Sequence, residues 1–177
     1  MKFLVTGTSG FIGTSYCDRF SNRHDHDIAG IDRLNPHERF GRVTYFSVDL
    51  RHSKAVSSLV KELEPEVIIH FAAQARVDPS LSSSVETYRD NVEGTINLIA
   101  AAEALGNRLD RFVYASSETV YGSSASYPTK EGAHLNPESP YAASKAASEF
   151  LVTRAFRERA LVLLPFELKA LSLLPPH

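Results

Sequence analysis

Short apolar runs alternate along the chain with longer segments in which apolar residues recur every three or four positions. The runs are typical of buried β-strands, and the longer segments are typical of helices that bury one face. Six strands are predicted, at residues 3–5, 28–32, 43–48, 67–71, 111–115 and 161–164. The run at residues 67–71 is apolar almost throughout, as expected for a parallel strand that is covered on both faces.

Four helices are predicted between these strands, at residues 11–20, 53–62, 85–105 and 141–159. In the second helix, Ser53 is the predicted N-cap and Pro65 follows the last turn. The predicted inner face of that helix comprises Ala55, Val56, Leu59, Val60 and Leu63. Pro79 and the serines at 82–84 lead into the third helix, which Gly106 is expected to end.

The alternation of strands and helices predicts an α/β fold, a doubly wound parallel sheet of the Rossmann type with three αβα layers. The expected strand order is 3-2-1-4-5-6, in which a ligand lies across the crevice beside strands one and four. A loop rich in glycine, serine and proline, residues 122–140, is longer than a simple connector and is expected to face a substrate.

Composition and charge argue against several classes of protein. The chain has 177 residues, 43% hydrophobic and 23% charged, which predicts one globular domain. A net charge of −2 argues against nucleic-acid binding, and no apolar run approaches the roughly 20 residues that span a bilayer. The first residues do not resemble a signal peptide, because Gly7 follows a very short apolar run. Cys17 is the only cysteine, so we expect it to be buried and unbridged in a cytoplasmic protein, and no metal site is predicted.

Candidate chemistry begins at the glycine-rich turn between the first strand and the first helix. Gly7 permits a tight turn, Gly10 lets the backbone approach a pyrophosphate, and Gly13 lets the helix pack closely on the strand. Free N–H groups and a partial positive charge at the helix start favour a phosphate there. The alternative is a plain tight turn, which this spacing of three glycines after the first strand disfavours.

Asp32 ends the second predicted strand, where a carboxylate can accept both hydroxyls of an adenosine ribose. A solvated aspartate at a strand end is the alternative. A carboxylate there repels a 2′-phosphate, so NAD is favoured over NADP, although the adjacent Arg33 weakens that preference. His70, inside the fourth strand, is predicted to be a hydrogen-bonded core residue rather than a catalytic base. Ala72 and Ala73 follow that strand and leave room for a ring system beside the backbone.

Tyr141 and Lys145 stand four residues apart in the last predicted helix, so both side chains lie on one face. A nearby ammonium is expected to lower the pKa of the tyrosine, which could then act as a general base near neutral pH. Ser117, at the end of the fifth strand, could hydrogen-bond the same substrate oxygen.

Together these stretches resemble the extended short-chain dehydrogenase/reductase family, which includes nucleotide-sugar epimerases of the UDP-glucose 4-epimerase type and nucleotide-sugar dehydratases. The matching stretches are residues 6–13 (TGTSGFIG), Asp32, Asp49 with Leu50, 70–74 (HFAAQ), 91–95 (NVEGT), 116–122 (SSETVYG) and 139–145 (SPYAASK). The resemblance implies NAD as cofactor and a UDP- or dTDP-sugar as substrate. It also implies a homodimer built from the helices at residues 85–105 and 141–159.

The resemblance implies roles for single residues as well. Tyr141 moves a proton, Ser117 assists it and Lys145 holds the nicotinamide ribose, so these three are the candidate catalytic residues. Asp49 and Leu50 contact the adenine. The implied cofactor-binding set is Gly7, Gly10, Phe11, Ile12, Gly13, Asp32, Asp49, Leu50, Phe71, Ala72, Ala73, Gln74, Ser116, Tyr141 and Lys145.

Two reactions are compatible with these roles. In both, Tyr141 removes a hydroxyl proton while a hydride passes from the sugar carbon to the nicotinamide; an epimerase then returns the hydride to the other face, whereas a 4,6-dehydratase loses water first. Dehydratases of the family carry Thr-Asp-Glu where this chain has Ser117, Glu118 and Thr119. Threonine is a poor base, which favours the epimerase, although Glu118 keeps an acid nearby and leaves dehydration open. A non-catalytic NAD-binding module and a small ketone reductase are further alternatives.

The resemblance ends near residue 166. Family members are typically nearly twice this length, and the arginine and asparagine expected around the sixth strand are replaced by Leu164 and Glu167. We therefore expect an NAD-binding domain at residues 1–166, a divergent tail at 167–177, and no C-terminal substrate-binding portion in this chain. Turnover depends on contacts to the remote groups of a substrate, so the activity of this chain is left open.

Overall fold

The computed structural model describes residues 1–21, 26–35, 40–75, 77–123 and 128–163. Its centre is one sheet of six parallel strands in the order β3-β2-β1-β4-β5-β6. The strands are β1 (Lys2–Thr6), β2 (Asp27–Asp32), β3 (Val43–Ser47), β4 (Val67–His70), β5 (Arg111–Ala115) and β6 (Ala160–Leu163). The predicted Rossmann-type sheet and its strand order are confirmed, with strand ends displaced by no more than a residue or so.

Helices connect β1 to β2, β3 to β4, β4 to β5 and β5 to β6, and they cover the sheet. They are α1 (Phe11–Phe20), α2 (Ser53–Leu63), α3 (Val77–Ser82), α4 (Ser84–Tyr88), α5 (Gly94–Glu103) and α6 (Pro140–Phe156). The prediction for α1 is confirmed at both ends. The last helix stops at Phe156, earlier than predicted, because Arg157 takes a positive φ of 38° and a separate 3₁₀ turn follows.

The single helix expected at residues 85–105 is interrupted. A π-helical turn (Arg89–Glu93) joins α4 to α5, and α5 ends at Glu103. Gly106 therefore does not end this helix; it has a φ of 59° and begins a short 3₁₀ turn. The segment around Pro79, which the sequence predicts only to precede the third helix, is itself helical. Proline is tolerated there because Pro79 lies in the first turn of α3, where a backbone N–H has no partner within the helix.

Two details of α2 also differ from the sequence prediction. His52 occupies the N-cap and makes no side-chain capping bond, so Ser53 is the first helical residue rather than the cap. Ala55 is exposed, because the helix turns a narrower face to the sheet than the pattern suggested. The residues buried on that face are Val56, Leu59 and Val60, with Leu63 partly buried beside them.

The central strands bury both faces of the sheet. In β1, Leu4 belongs to the core on the side of α2, α5 and α6, whereas the next residue, Val5, belongs to the core under α1. Ile68 and Ile69 divide in the same way in β4, and all four side chains are inaccessible to solvent. Successive side chains of a strand point to opposite faces, so the continuous apolar run is explained by burial on both sides.

Cys17 lies in the core under α1 as a free, fully buried thiol, as predicted. Burial raises the pKa of this thiol to about 11, so it stays protonated and inert. Among the described residues, no helix is long and apolar enough to cross a membrane, and no group of three or more candidate ligands could hold a metal ion. The tail at 167–177, Leu164, Glu167 and residues 124–127 of the long loop lie outside the described residues.

The glycine turn brings α1 unusually close to the end of β1. A Cβ atom added to Gly13 would lie 2.1 Å from the carbonyl oxygen of Gly7. Gly7 itself has a φ of 76°, and a Cβ atom there would lie 2.6 Å from the backbone nitrogen of Ala72. The roles predicted for Gly7 in the turn and for Gly13 in helix packing are therefore confirmed.

Replacing Gly13 with alanine tests this close packing. Gly13→Ala should lower the free energy of unfolding by about 3 kcal/mol, since the new methyl group meets backbone atoms that cannot rotate away. Gly132→Ala is the matched control, because a Cβ atom there meets nothing within 4 Å. Urea denaturation of both variants measures the difference, and equal stabilities would contradict the packing described here.

Candidate functional site

The carboxyl ends of the central strands open into one crevice, with a cavity volume of about 290 Å³. This is the place where open parallel sheets bind ligands. The crevice is lined by all the predicted cofactor residues except Ser116, Tyr141 and Lys145. The structure therefore brings together Gly7, Gly10, Phe11, Ile12, Gly13, Asp32, Asp49, Leu50, Phe71, Ala72, Ala73 and Gln74.

The start of α1 forms one wall of the crevice. Gly10 is its N-cap, no side chain caps the helix, and its first turn contains no acidic residue. A Cβ atom on Gly10 would meet only the carbonyl oxygen of Gly7, at 3.3 Å, so Gly10 keeps its crevice side open. An open helix N-terminus with unpaired N–H groups fits the diphosphate of a dinucleotide.

Asp32 ties the end of β2 to the glycine turn. Its Oδ2 atom accepts a hydrogen bond from the backbone N–H of Ser9 at 3.0 Å, and its Oδ1 atom accepts one from the N–H of Leu34 at 3.0 Å. Both oxygens still have acceptor capacity towards the crevice, since a carboxylate offers about four lone-pair sites. This geometry is compatible with ribose binding by Asp32.

Asp49 and Leu50 lie in the crevice wall beyond the end of β3. The carboxylate of Asp49 accepts hydrogen bonds from the guanidinium of Arg51, at 2.6 Å from Nη2 to Oδ2. These bonds are the main cause of a lowered pKa for Asp49, so this carboxylate stays charged. Leu50 is buried beneath it and packs in the core on the α2 side.

His70 is part of a buried hydrogen-bonded network. Its Nδ1 atom lies 2.7 Å from the hydroxyl of Thr6, and its Nε2 atom lies 2.9 Å from the hydroxyl of Thr95. Burial, with a smaller contribution from the charge of Lys145, lowers the pKa of His70 to about 3. His70 is therefore neutral at physiological pH, and the prediction of a satisfied core histidine is confirmed.

Asn91 joins the crevice to α6. It lies in the π-helical turn, and its side-chain oxygen accepts a hydrogen bond from the N–H of Gln74 at 2.6 Å. Its side-chain nitrogen donates to the carbonyl of Gln74 at 3.1 Å and to the hydroxyl of Ser144 at 2.8 Å. A buried amide with these bonds fixes the loop after β4 relative to the helix that carries Tyr141 and Lys145.

The four remaining predicted site residues, Ser116, Ser117, Tyr141 and Lys145, lie at the end of β5 and in the first turns of α6. Ser139 caps α6 by accepting a hydrogen bond from the N–H of Ala142 at 3.1 Å. Tyr141 is half-buried one turn before the fully buried Lys145, as the spacing predicted. The phenol of Tyr141 has a hydrogen-bonding interaction with Ser117, which lowers the pKa of the phenol.

The expected influence of Lys145 on Tyr141 is wrong for this structure. Burial raises the pKa of Tyr141, and the only opposing effect is the hydrogen bond from Ser117. The ammonium of Lys145 instead lies over the ring of Tyr114, with 4.5 Å from Nζ to the ring centroid. Burial also lowers the pKa of Lys145 to about 7, so its positive charge is itself disfavoured at this position.

A carboxylate that sequence reasoning missed lies beside Lys145. Glu149 follows Lys145 by one turn of α6, and its Oε2 atom accepts a hydrogen bond from the hydroxyl of Ser116 at 2.8 Å. Its charge opposes the fall in the pKa of Lys145. The four-residue spacing from Lys145 was a signal that could have revealed it.

The crevice also contains residues that the sequence analysis did not assign to it, namely Ile31, Arg33, Val48, Ala75 and Asp90. Ile31 and Val48 could have been found, because both lie beside predicted strand ends. Asp90 carried no such signal, since its position depends on the π-helical turn, which no residue pattern predicted.

Comparison with known proteins identifies the family to which the chain belongs. The model of the NAD dependent epimerase/dehydratase family matches residues 3–169. The UDP-glucose 4-epimerase of Mycolicibacterium smegmatis is 38% identical over 158 residues, which are 84% of this chain and 49% of that protein. The dTDP-glucose 4,6-dehydratase of Haemophilus influenzae is 32% identical over 170 residues, which are 86% of this chain and 50% of that protein. The chain thus spans about half the length of these relatives.

The fold agrees with the sequence comparison. The UDP-glucose 4-epimerase of Thermus thermophilus, solved in complex with NAD, matches with a TM-score of 0.83 at 32% identity, over 93% of this chain and 54% of that one. The resemblance found from the motifs is therefore confirmed. With nearly its whole length matched by the family model and its strands in the matching order, the chain belongs to the NAD dependent epimerase/dehydratase family.

Proposed function

We propose that this chain carries the NAD site and the proton-transfer residues of a nucleotide-sugar epimerase. The observation that carries the proposal is the cluster of Ser117, Tyr141 and Lys145, which Asn91 ties to the crevice through Ser144 and Gln74. A dinucleotide crevice and a tyrosine–lysine pair next to it are the two parts that the reaction needs. Two relatives, an epimerase and a dehydratase, support the same chemistry.

The cofactor would lie across the crevice from β2 to β4. The diphosphate would bind the first N–H groups of α1, the adenosine ribose would bind Asp32, and the adenine would lie beside Asp49 and Leu50. Ala72 and Ala73 would pass along the dinucleotide. When bound, NAD supplies a reversible hydride acceptor for the sugar carbon.

Tyr141 would take the proton from the sugar hydroxyl and later return it. The phenol has a raised pKa in this structure, so it is protonated at neutral pH before the site is loaded, and it must lose its own proton to solvent before it can take one from the sugar. A positive charge on Lys145 would favour that loss. Its hydrogen bond with Ser117 opposes that rise and would orient the hydroxyl towards the substrate oxygen. Lys145, with a pKa of about 7, exists in both protonation states near neutrality and can gain full charge when an acceptor approaches.

The residues after β5 favour epimerisation over dehydration. Thr119 occupies the position of the dehydratase glutamate, and its hydroxyl lies 2.9 Å from that of Ser117, an arrangement that orients the serine and supplies no base. Glu118 follows Ser117 and keeps an acid near the site, although its side chain is exposed, so a 4,6-dehydratase is the second candidate. A non-catalytic NAD-binding module is the third, because the chain spans only half the length of its relatives.

We also propose that residues 1–166 form the NAD-binding domain and that 167–177 form a divergent tail. The long loop at residues 122–140 would face the substrate. A cytoplasmic location is proposed because Cys17 is a free thiol, which persists in reducing compartments.

Tyr141→Phe tests the proposed base. The variant should bind NAD with an affinity within about threefold of the wild type, because it loses only a hydroxyl that faces the substrate. Its rate of conversion of UDP-galactose to UDP-glucose should fall by at least about a hundredfold, the usual contribution of a general base. Coupled detection of UDP-glucose measures the rate, and calorimetry measures the affinity.

Tyr45→Phe is the matched control for this experiment, since it removes a hydroxyl from a half-buried tyrosine in β3 that lies outside the crevice and outside the helices proposed for the dimer. An unchanged rate in Tyr141→Phe would refute the role of Tyr141. NAD binding by the wild type without turnover of any nucleotide sugar would select the binding module. Loss of water from the sugar, detected by mass spectrometry, would select the dehydratase.

A homodimer is proposed from an apolar face on α4, α5 and α6. Val85, Tyr88, Ile96 and Phe150 are all large side chains on these helices that are at least 41% exposed. Helix faces of this kind are typical of an isologous contact between two copies of a chain.

Phe150→Asp should convert the dimer to a monomer, because it buries a charge in that contact. Phe150 is 68% exposed, so the fold of the single chain should tolerate the change. Leu135→Asp is the control, since Leu135 is a 46% exposed apolar residue outside these helices. Analytical ultracentrifugation at micromolar concentration distinguishes the species, and a monomeric wild type would contradict the proposal.

A further inference from the structure

Arg33 and Asp90 form an ion pair on the rim of the crevice. The Nη1 atom of Arg33 donates to both carboxylate oxygens of Asp90, at 3.1 Å to Oδ1 and 3.0 Å to Oδ2. The side chain of Asp90 is 14% exposed and that of Arg33 is 49% exposed. Both residues line the same cavity as Asp32.

Because Arg33 lies next to the proposed ribose site, its pairing with Asp90 bears on which cofactor the site accepts. Arg33 follows Asp32, the carboxylate proposed to bind the adenosine ribose, and an arginine near this strand end is the group that accommodates the 2′-phosphate of NADP. A guanidinium that already donates to Asp90 is directed across the crevice rim, from the end of β2 to the π-helical turn. It is therefore engaged before any cofactor arrives.

The neighbouring guanidinium groups are engaged as well. Arg51 pairs mainly with Asp49, at 2.6 Å, and has longer contacts of 3.5 Å with Glu86 and Asp90. Arg89 pairs with Glu86 at 2.8 Å. The paired carboxylates are Asp49, Glu86 and Asp90, and with Asp32 they outnumber the guanidinium groups of Arg33, Arg51 and Arg89. The rim thus presents an excess of negative charge to an incoming phosphate.

We propose that Asp90 is a specificity-determining residue, which makes this site select NAD over NADP by holding the guanidinium of Arg33 away from the 2′-position. The inference rests on the proposed cofactor site, and it explains why the arginine after Asp32 does not recruit a 2′-phosphate. Asp32 repels that phosphate directly, whereas Asp90 acts by engaging Arg33, the cation that follows Asp32 in the chain.

Calorimetric titration of the full chain tests the role of Asp90. NAD and NADP are compared, and so are AMP and 2′,5′-ADP, which differ only by the 2′-phosphate. In Asp90→Asn, the ratio of the NADP to the NAD dissociation constant should fall by about fivefold, the size expected for an ion pair partly exposed to solvent. The ratio should not invert, because Asp32 is still present.

Two further variants distinguish the effect of the Arg33–Asp90 ion pair from the effect of losing one negative charge near the crevice. Glu86→Gln removes one carboxylate from the same network but has no contact with Arg33, so it should leave the ratio within about twofold. Arg33→Ala should leave the wild-type ratio unchanged, because the engaged guanidinium does not contact the 2′-position. Combined with Asp90→Asn, Arg33→Ala should abolish most of the gain in NADP binding.

If Asp90→Asn binds NAD and its ratio of the NADP to the NAD dissociation constant is unchanged, the cofactor site is not overturned, whereas the role of Asp90 is. Equal effects of Asp90→Asn and Glu86→Gln would overturn it too, since net charge would then explain the change. A weakened binding of NADP in Arg33→Ala alone would mean that Arg33 already contacts the phosphate, which also overturns it. Failure of the wild-type chain to bind NAD would overturn the cofactor site itself and this inference with it.

Discussion

The close approach of Gly13 to the carbonyl of Gly7 is the constraint on which the site depends. A side chain as small as a methyl group at Gly13 would lie 2.1 Å from that oxygen, so only glycine lets α1 start directly over the end of β1. The same turn brings Gly7 against the backbone of Ala72, which follows β4. One local contact therefore fixes the helix N-terminus relative to two central strands, and the crevice is the space that this leaves.

Burial determines the protonation states of the titratable side chains around β4, β5 and α6. His70 and Lys145 lie where water is excluded and Tyr141 is half-buried, and in each case burial is the main cause of the pKa shift. The effect is to favour the neutral forms of a core histidine, a lysine and a phenol before substrate arrives. Hydrogen bonds with Thr6 and Thr95 satisfy both ring nitrogens of His70. Tyr141 interacts with Ser117, and Lys145 has the ring of Tyr114 and the charge of Glu149 nearby.

Features set by local periodicity and by covalent geometry could be predicted from the sequence. The strand order, the bounds of α1 and the buried His70 follow from apolar runs, glycine spacing and a known topology. The crevice wall from Gly7 to Gln74 follows in part from the glycine spacing and in part from the resemblance of its motifs to a known family. Features set by contacts between distant segments could not be predicted. The π-helical turn, the pairing of Arg33 with Asp90 and the sign of the pKa shift at Tyr141 depend on which groups meet after folding. Sequence spacing placed Lys145 near Tyr141, but after folding its ammonium lies over the ring of Tyr114.

The central claim is that the first N–H groups of α1 bind the diphosphate of NAD. Its most direct test is an NMR titration of the nitrogen-labelled chain with NAD, in which the amide resonances of the glycine turn and of α1 are followed. The largest shifts should occur at Phe11, Ile12 and Gly13, and the amides of Gly132 and Ala133 should not move. Binding of NAD without shifts at Phe11, Ile12 and Gly13, or a folded chain that does not bind NAD, would contradict the claim.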